Sequence, residues 1–178
     1  KKLALAADHV LCLFPFEPEL LARHGIAATF VGHPLADIIP LEPPRAAARA
    51  DLGLGEGDTV VALLPGSRRS EIRHIAPALL GAAAEMHRQR PDIKFVLPVA
   101  PGLADLLSPM LALQAAGLPI RVLEGRSHEA LAACDVTLIA SGTATLEAAL
   151  FKRPMVITYR VHWLNWLYMK GRAYQPWF

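Results

Sequence analysis

Two short runs of apolar residues constrain the fold of this chain most strongly. Val60-Val-Ala-Leu-Leu64 and Val136-Thr-Leu-Ile-Ala140 are nearly continuous apolar stretches rather than alternating ones. Strands that are buried on both faces have this pattern, as in a parallel sheet covered by helices on each side. With these two included, strands are predicted at 9–15, 28–32, 59–65, 93–99, 119–123, 135–140 and 154–160.

Helical patterns separate these strands. The clearest helix is predicted over 70–90, where Ile72, Ile75, Leu79, Ala83 and Met86 recur at intervals of three and four residues. Strands that alternate with helices of this length predict an α/β fold with a doubly wound, Rossmann-like parallel sheet. Other helices are predicted at 17–24, 44–52, 103–116, 127–133 and 143–151.

Four prolines between residues 33 and 44 indicate a domain boundary. Proline restricts the backbone and removes a hydrogen-bond donor, as is typical of linkers. We therefore expect residues 1–41 to be the tail of a preceding domain plus a linker. Residues 42–178 would form the Rossmann-like domain. The chain does not begin with Met, and we expect it to be part of a longer protein.

Composition excludes several classes of protein. Apolar residues make up 53% of the chain and charged residues 19%, so a buried core is expected. The net charge of +2 is dispersed, which argues against a nucleic-acid partner. Cys12 and Cys134 lie in apolar runs and are predicted to be buried free thiols. No Cys or His spacing matches a metal site, and no apolar run is long enough to span a membrane.

The turn Leu64-Pro-Gly-Ser-Arg68 is the first candidate for chemistry. It follows a predicted buried strand and precedes the long helix, so it lies at the edge of the sheet where such folds bind ligands. Gly66 allows a tight turn and close approach of a ligand. Ser67 or Ser70 could cap the helix. Free N–H groups and Arg68 would favour a phosphate, although an ordinary strand–helix turn explains the pattern equally well.

The turn Ser141-Gly-Thr-Ala-Thr-Leu-Glu147 is the second candidate. It also joins a predicted buried strand to a helix, and its small residues Ser141, Gly142 and Thr143 leave room for a ligand. Glu147 could accept hydrogen bonds from the hydroxyls of a ribose, or it could simply be a favourable charge near the helix N-terminus. Together the two turns predict a site for a nucleoside diphosphate, without identifying the base.

Five motifs lie along the chain: Leu13-Phe-Pro-Phe-Glu17, Val31-Gly-His-Pro-Leu35, Leu63-Leu-Pro-Gly-Ser-Arg68, Ser141-Gly-Thr-Ala-Thr-Leu-Glu147 and Pro154-Met-Val-Ile-Thr-Tyr159. In their order and approximate spacing they resemble the motifs of the lipid-A-disaccharide synthase family. The resemblance covers residues 8–174, roughly the second half of a family member.

The resemblance implies a GT-B architecture and an inverting hexosyl transfer without a metal or other cofactor. The donor would be UDP-2,3-diacylglucosamine and the acceptor 2,3-diacylglucosamine 1-phosphate (lipid X), giving lipid A disaccharide 1-phosphate and UDP. The acceptor site and general base are expected in an N-terminal domain that this sequence lacks, so no catalytic residue is assigned. By motif, the UDP-binding residues would be Gly66, Ser67, Arg68, Ser141, Gly142, Thr143 and Glu147.

The resemblance also implies a location and partners. We expect a cytoplasmic protein at the inner face of the inner membrane of a Gram-negative cell. Trp163 and Trp166 begin an aromatic helical face that would contact either the membrane, the N-terminal domain or a second copy in a homodimer. His33 could face the interdomain cleft, and His128 could lie near the base or sugar.

Two alternative functions remain open. The alternatives are another GT-B enzyme acting on a UDP-sugar, such as a UDP-N-acetylglucosamine transferase or 2-epimerase, and a non-catalytic nucleotide-binding domain. The sequence also departs from the family at residues 175–178.

Overall fold

The computed structural model describes residues 3–159. These residues fall into two compact units, with the division between Glu42 and Pro43. The division falls one residue from the boundary expected from the prolines. That the first unit is the tail of another domain stays a prediction. Residues 163–168, which carry the aromatic face, and residues 175–178 lie outside the described part of the chain.

The first unit is a small parallel β–α–β arrangement. Strands β1 (Val10–Cys12) and β2 (Ala28–Phe30) pair in parallel, and helix α1 (Glu17–Ala22) connects them. A short 3-10 helix, Leu3–Leu5, precedes β1. A two-stranded sheet buries little apolar surface, and several large apolar side chains of this unit are exposed. They include Leu11, Phe16, Leu20 and Phe30.

The proline-rich segment that was predicted to be a linker contains a short helix, which was not predicted from the sequence. Helix α2 (Pro34–Ile38) begins in it, because Pro34 occupies the first turn, where its missing N–H costs nothing. His33 caps this helix, and its Nδ1 accepts a hydrogen bond from the Leu35 N–H at 3.2 Å.

The second unit is a five-stranded parallel sheet surrounded by helices. Its strands lie in the order β5-β4-β3-β6-β7, all parallel. The chain thus builds outward from β3 to β5 and then returns to the other side of β3. This is the doubly wound order that the sequence predicted, with a reversal between β3 and β6. The strands are β3 (Val60–Leu64), β4 (Lys94–Val99), β5 (Ile120–Glu124), β6 (Val136–Ala140) and β7 (Met155–Thr158).

The helices of this unit match the predicted ranges to within two residues. The apolar face of α4 is buried against the sheet as predicted, with Met86 only partly buried. All five residues of β3 are buried, which explains its continuous apolar run. The helices are α3 (Arg45–Asp51), α4 (Arg69–Gln89), α5 (Ala104–Gln114), α6 (Ser127–Ala133) and α7 (Thr143–Leu150).

Candidate functional site

The turn between β3 and α4 is built around Gly66. Its backbone has φ +105°, a conformation that L side chains rarely adopt. A Cβ placed on Gly66 would lie 2.4 Å from Oε2 of Glu71 and 2.7 Å from the Glu71 Cβ. Glycine is therefore required here both by the backbone conformation and by the close approach of one glutamate side chain.

The Glu71 carboxylate occupies the concave side of this turn. Its Oε2 accepts hydrogen bonds from the backbone N–H groups of Ser67, at 2.9 Å, and Arg68, at 3.2 Å. Its Oε1 accepts one from Nη1 of Arg68 at 2.6 Å. Partial burial raises the pKa of Glu71, but hydrogen bonds from the Arg68 guanidinium and the two amides outweigh it and hold that pKa below its ordinary value.

The expectation that Ser67 or Ser70 caps α4 is wrong. Arg68 is the N-cap residue, and Glu71, at the third helical position, reaches back to the turn. A glutamate at this position favours such a contact because its charged, longer side chain can span two amides, which a serine hydroxyl cannot. Sequence reasoning missed this residue, although a glutamate three residues after the N-cap is a recognisable signal.

The turn between β6 and α7 presents the second set of predicted residues. Gly142 is the N-cap of α7, with φ 156° and ψ −163°. The Thr145 hydroxyl donates a hydrogen bond to the Gly142 carbonyl at 2.7 Å, which holds the first turn of the helix. Because the side chains at 141–143 are small, the backbone at the start of α7 stays accessible.

Glu147 lies one turn into α7 and faces a histidine. Its Oε2 is 3.7 Å from Nε2 of His128, and the two side chains are 22% and 40% exposed respectively. The His128 ring also packs on Phe151, with ring centroids 5.3 Å apart. Glu147 retains solvent access, so its carboxylate can accept further hydrogen bonds.

Both turns line one cleft of about 530 Å³. They meet because β3 and β6 are neighbours and parallel, which brings their carboxyl ends together at the reversal of strand order. All seven residues that the sequence assigned to a nucleotide site line this cleft: Gly66, Ser67, Arg68, Ser141, Gly142, Thr143 and Glu147.

Two further segments complete the cleft and were missed. Residues 98–101 form the end of β4 and the turn after it, and residues 125–127 follow β5, at the same edge of the sheet. Their position after predicted strands was the available signal. Arg126 is the prominent side chain here: it forms ion pairs with Asp51 of α3 and, at 3.3 Å, with Glu129 of α6.

The charges that line the cleft balance in this structure. Arg68 and Arg126 supply two cations, and Glu71 and Glu147 supply two carboxylates. Within residues 3–159, no group of three or more His, Cys, Asp or Glu side chains could hold a metal ion. Over the same residues, no helix is both long and apolar enough to cross a membrane.

Comparison with known proteins identifies relatives across the whole chain. Residues 1–171 match the family model described as lipid-A-disaccharide synthetase. Proteins named lipid-A-disaccharide synthase from Albidiferax ferrireducens and Verminephrobacter eiseniae are each 59% identical, over 99% and 97% of this chain. One from Burkholderia thailandensis is 52% identical over 99% of it. The chain spans about half the length of these relatives, from 44% to 46%.

Solved structures share the fold at low sequence identity. UDP-GlcNAc 2-epimerase from Neisseria meningitidis, bound to UDP-GlcNAc, aligns over 86% of this chain and 45% of its own, with a TM-score of 0.64 and 13% identity. A pneumococcal O-GlcNAc transferase in complex with UDP and GlcNAc aligns over 86% and 30%, with a TM-score of 0.56 and 17% identity. The fold is thus one Rossmann-like half of a GT-B architecture, as predicted.

Proposed function

The chain belongs to the lipid-A-disaccharide synthetase family, and we propose that it is the donor-binding half of a glycosyltransferase of lipid A biosynthesis. In this proposal the full protein transfers 2,3-diacylglucosamine from UDP to 2,3-diacylglucosamine 1-phosphate. The products are lipid A disaccharide 1-phosphate and UDP.

One observation carries the assignment of donor binding to this chain. The N-termini of α4 and α7 meet in a single cleft, with Arg68 on one side and Glu147 on the other. Helix N-termini and a guanidinium favour a diphosphate, while a carboxylate one turn into a helix suits two adjacent ribose hydroxyls. A nucleoside diphosphate combines both groups, and the family supplies the choice of uridine.

The chemistry then divides between two halves. An acceptor hydroxyl attacks the anomeric carbon of the donor sugar, the bond to the UDP oxygen breaks, and the configuration inverts. Arg68 and the α4 N-terminus would offset the charge that develops on the departing diphosphate. The base that takes the hydroxyl proton, and the site for lipid X, belong in this proposal to the part of the family that the chain does not span.

The proposed partners follow from the same reasoning. Both substrates carry acyl chains, so the full protein would act in the cytoplasm, peripherally at the inner face of the inner membrane. It needs the other half of its own chain and could form a homodimer. No cofactor, metal ion or nucleic acid enters this mechanism.

Titration calorimetry with UDP tests donor binding directly. We expect the 178-residue chain to bind UDP, and Arg68→Ala and Glu147→Ala each to weaken binding about tenfold, which corresponds to loss of one charge-assisted contact. Arg90→Ala is the matched control, because Arg90 is the C-cap at the far end of α4 and pairs with Asp92. A folded chain that binds no UDP would exclude the proposal.

Transfer itself can be tested in a joined protein. The portion of the Albidiferax ferrireducens relative that this chain does not cover would be fused to it, and UDP release measured with acylated donor and acceptor. Release that depends on the acyl chains supports the proposed substrates. Equal turnover of a non-acylated UDP-sugar would instead favour another UDP-sugar enzyme.

A further inference from the structure

The proposed diphosphate site already contains an anion that belongs to the protein. The Glu71 carboxylate accepts the N–H groups of Ser67 and Arg68 and pairs with the Arg68 guanidinium. These are the donors that a phosphate at the α4 N-terminus would use first. Each backbone N–H makes one good hydrogen bond, so the carboxylate and a phosphate compete for the same groups.

The turn is shaped to receive this carboxylate. Gly66 leaves the space that Glu71 Oε2 fills, since a Cβ there would come within 2.4 Å of it. The Glu71 side chain is 27% exposed, whereas the Arg68 side chain is 78% exposed. The carboxylate therefore sits in the turn, and the guanidinium on its outer side stays within reach of a ligand.

We propose that Glu71 determines specificity at this site by acting as an intramolecular competitor for anions. Simple phosphates fail to displace it, whereas a nucleoside diphosphate does so because it gains additional contacts elsewhere in the cleft. On binding, the carboxylate leaves the amides of Ser67 and Arg68. This inference rests on the proposed function, since it concerns the same site.

The physical basis is a difference in what each ligand gains. When inorganic phosphate binds at the turn, it only replaces the Glu71 carboxylate with another anion. It must also compete with a carboxylate that is tethered three residues from Arg68. Tethering gives the carboxylate a high effective concentration. A nucleoside diphosphate brings more negative charge for Arg68, and its ribose adds hydrogen bonds at Glu147. Only the larger ligand recovers the cost of displacing Glu71.

The isosteric variant Glu71→Gln separates competition from a purely structural role. It removes one negative charge and keeps the shape and the amide-facing oxygen. We expect calorimetry to give UDP binding roughly tenfold tighter in this variant, with a larger gain for inorganic phosphate and pyrophosphate. Glu85→Gln is the matched control, because Glu85 lies on the same helix about 21 Å away and pairs with Arg88. It should leave the affinities for UDP, inorganic phosphate and pyrophosphate unchanged.

Each outcome decides the inference. Weaker or unchanged UDP binding to a folded Glu71→Gln variant would overturn it and leave Glu71 as a helix cap. Tighter UDP binding without any gain for inorganic phosphate would overturn the claim about specificity. If UDP binds neither the native chain nor the variant, the proposed function fails, and this inference fails with it.

A measurement on the native chain covers the case in which the variant does not fold. Carbon-13 NMR of the Glu71 side-chain carboxyl reports its hydrogen bonding directly. With the inference correct, saturating UDP shifts this signal towards that of a solvated glutamate, whereas uridine, which carries no phosphate, leaves it in place. A Glu71 signal that UDP does not move would show that the carboxylate stays in the turn.

Discussion

The almost completely buried guanidinium of Arg49 forms an ion pair with Asp135, with Nη2 of Arg49 3.0 Å from Oδ2 of Asp135. Arg49 also donates hydrogen bonds to the carbonyls of Gly55, Glu56 and Ala133. These contacts join α3, the loop before β3 and the end of α6 at the edge of the sheet opposite the cleft. Asp135 accepts the N–H of Val60 as well, so it links the starts of the two strands that carry the candidate site.

Asp135→Asn should destabilise the chain by about 3 kcal/mol. The variant leaves the buried Arg49 without its carboxylate, and an uncompensated buried charge is costly. Urea unfolding followed by circular dichroism would measure the change. Arg45→Ala is the control: Arg45 pairs with Asp135 too but is exposed, so its loss should cost under about 1 kcal/mol. Equal losses of unfolding free energy in Asp135→Asn and Arg45→Ala would contradict the assignment of this stability to the buried Arg49 ion pair.

Gly66→Ala should lower the free energy of unfolding by about 2 kcal/mol. The added Cβ meets Glu71, and the φ of +105° strains any L residue. Urea unfolding would measure the loss. Gly81→Ala lies within α4 with open space around it, and should instead stabilise the chain by up to about 1 kcal/mol. A Gly66→Ala chain as stable as the native one would refute the steric argument.

Glu147 should confer a preference for ribose over deoxyribose. If its carboxylate accepts the ribose hydroxyls, the native chain binds UDP about tenfold more tightly than 2′-deoxy-UDP. Glu147→Ala should remove that preference, whereas Glu85→Ala should retain it. Calorimetry with both nucleotides provides the comparison, and a preference that survives in Glu147→Ala would assign ribose recognition to another group.

Cys134 should be unreactive in the folded chain. Burial raises the pKa of its thiol to about 12, so at pH 8 only about one molecule in ten thousand carries the thiolate. As predicted from the sequence, both cysteines are buried and free. A Cys12→Ala variant isolates Cys134, and its modification by a chromogenic disulfide should be slow until urea unfolds the chain. Rapid reaction without denaturant would show that the region around β6 opens.

The contribution of Glu71 to stability should disappear in acid. Its pKa is lower in the folded chain than its ordinary value of 4.5, so the carboxylate stays ionised while the unfolded chain takes up a proton. The stabilisation is complete above pH 4.5 and is lost as the pH falls through the lower, folded value. Glu71→Gln should therefore be about 1 kcal/mol less stable than the native chain at pH 7, and the difference should shrink in urea titrations below pH 4.

Much of the second unit was predictable because its signals are local. Buried strands need continuous apolar runs, and α4 needs apolar residues every three or four positions, so Val60–Leu64 and Arg69–Gln89 were recognisable directly. The helix Pro34–Ile38 was not, because a proline that starts a helix and one that interrupts a chain look the same in sequence. The predicted capping of α4 was wrong for a similar reason. Serines near the start of a helix are common caps, but here the Glu71 carboxylate accepts the hydrogen bonds of the free amides.

The sequence by itself determined which segments of the second unit form strands and helices. It also determined which two turns hold the glycines, the arginine and the glutamate of the site, since these features depend on residues close in the chain. Only the tertiary structure decided that β6 lies beside β3, which brings Arg68 and Glu147 to one cleft from positions 79 residues apart. It also decided that Arg126 joins them. Strand order depends on packing between segments that are distant in the chain, which no local pattern encodes.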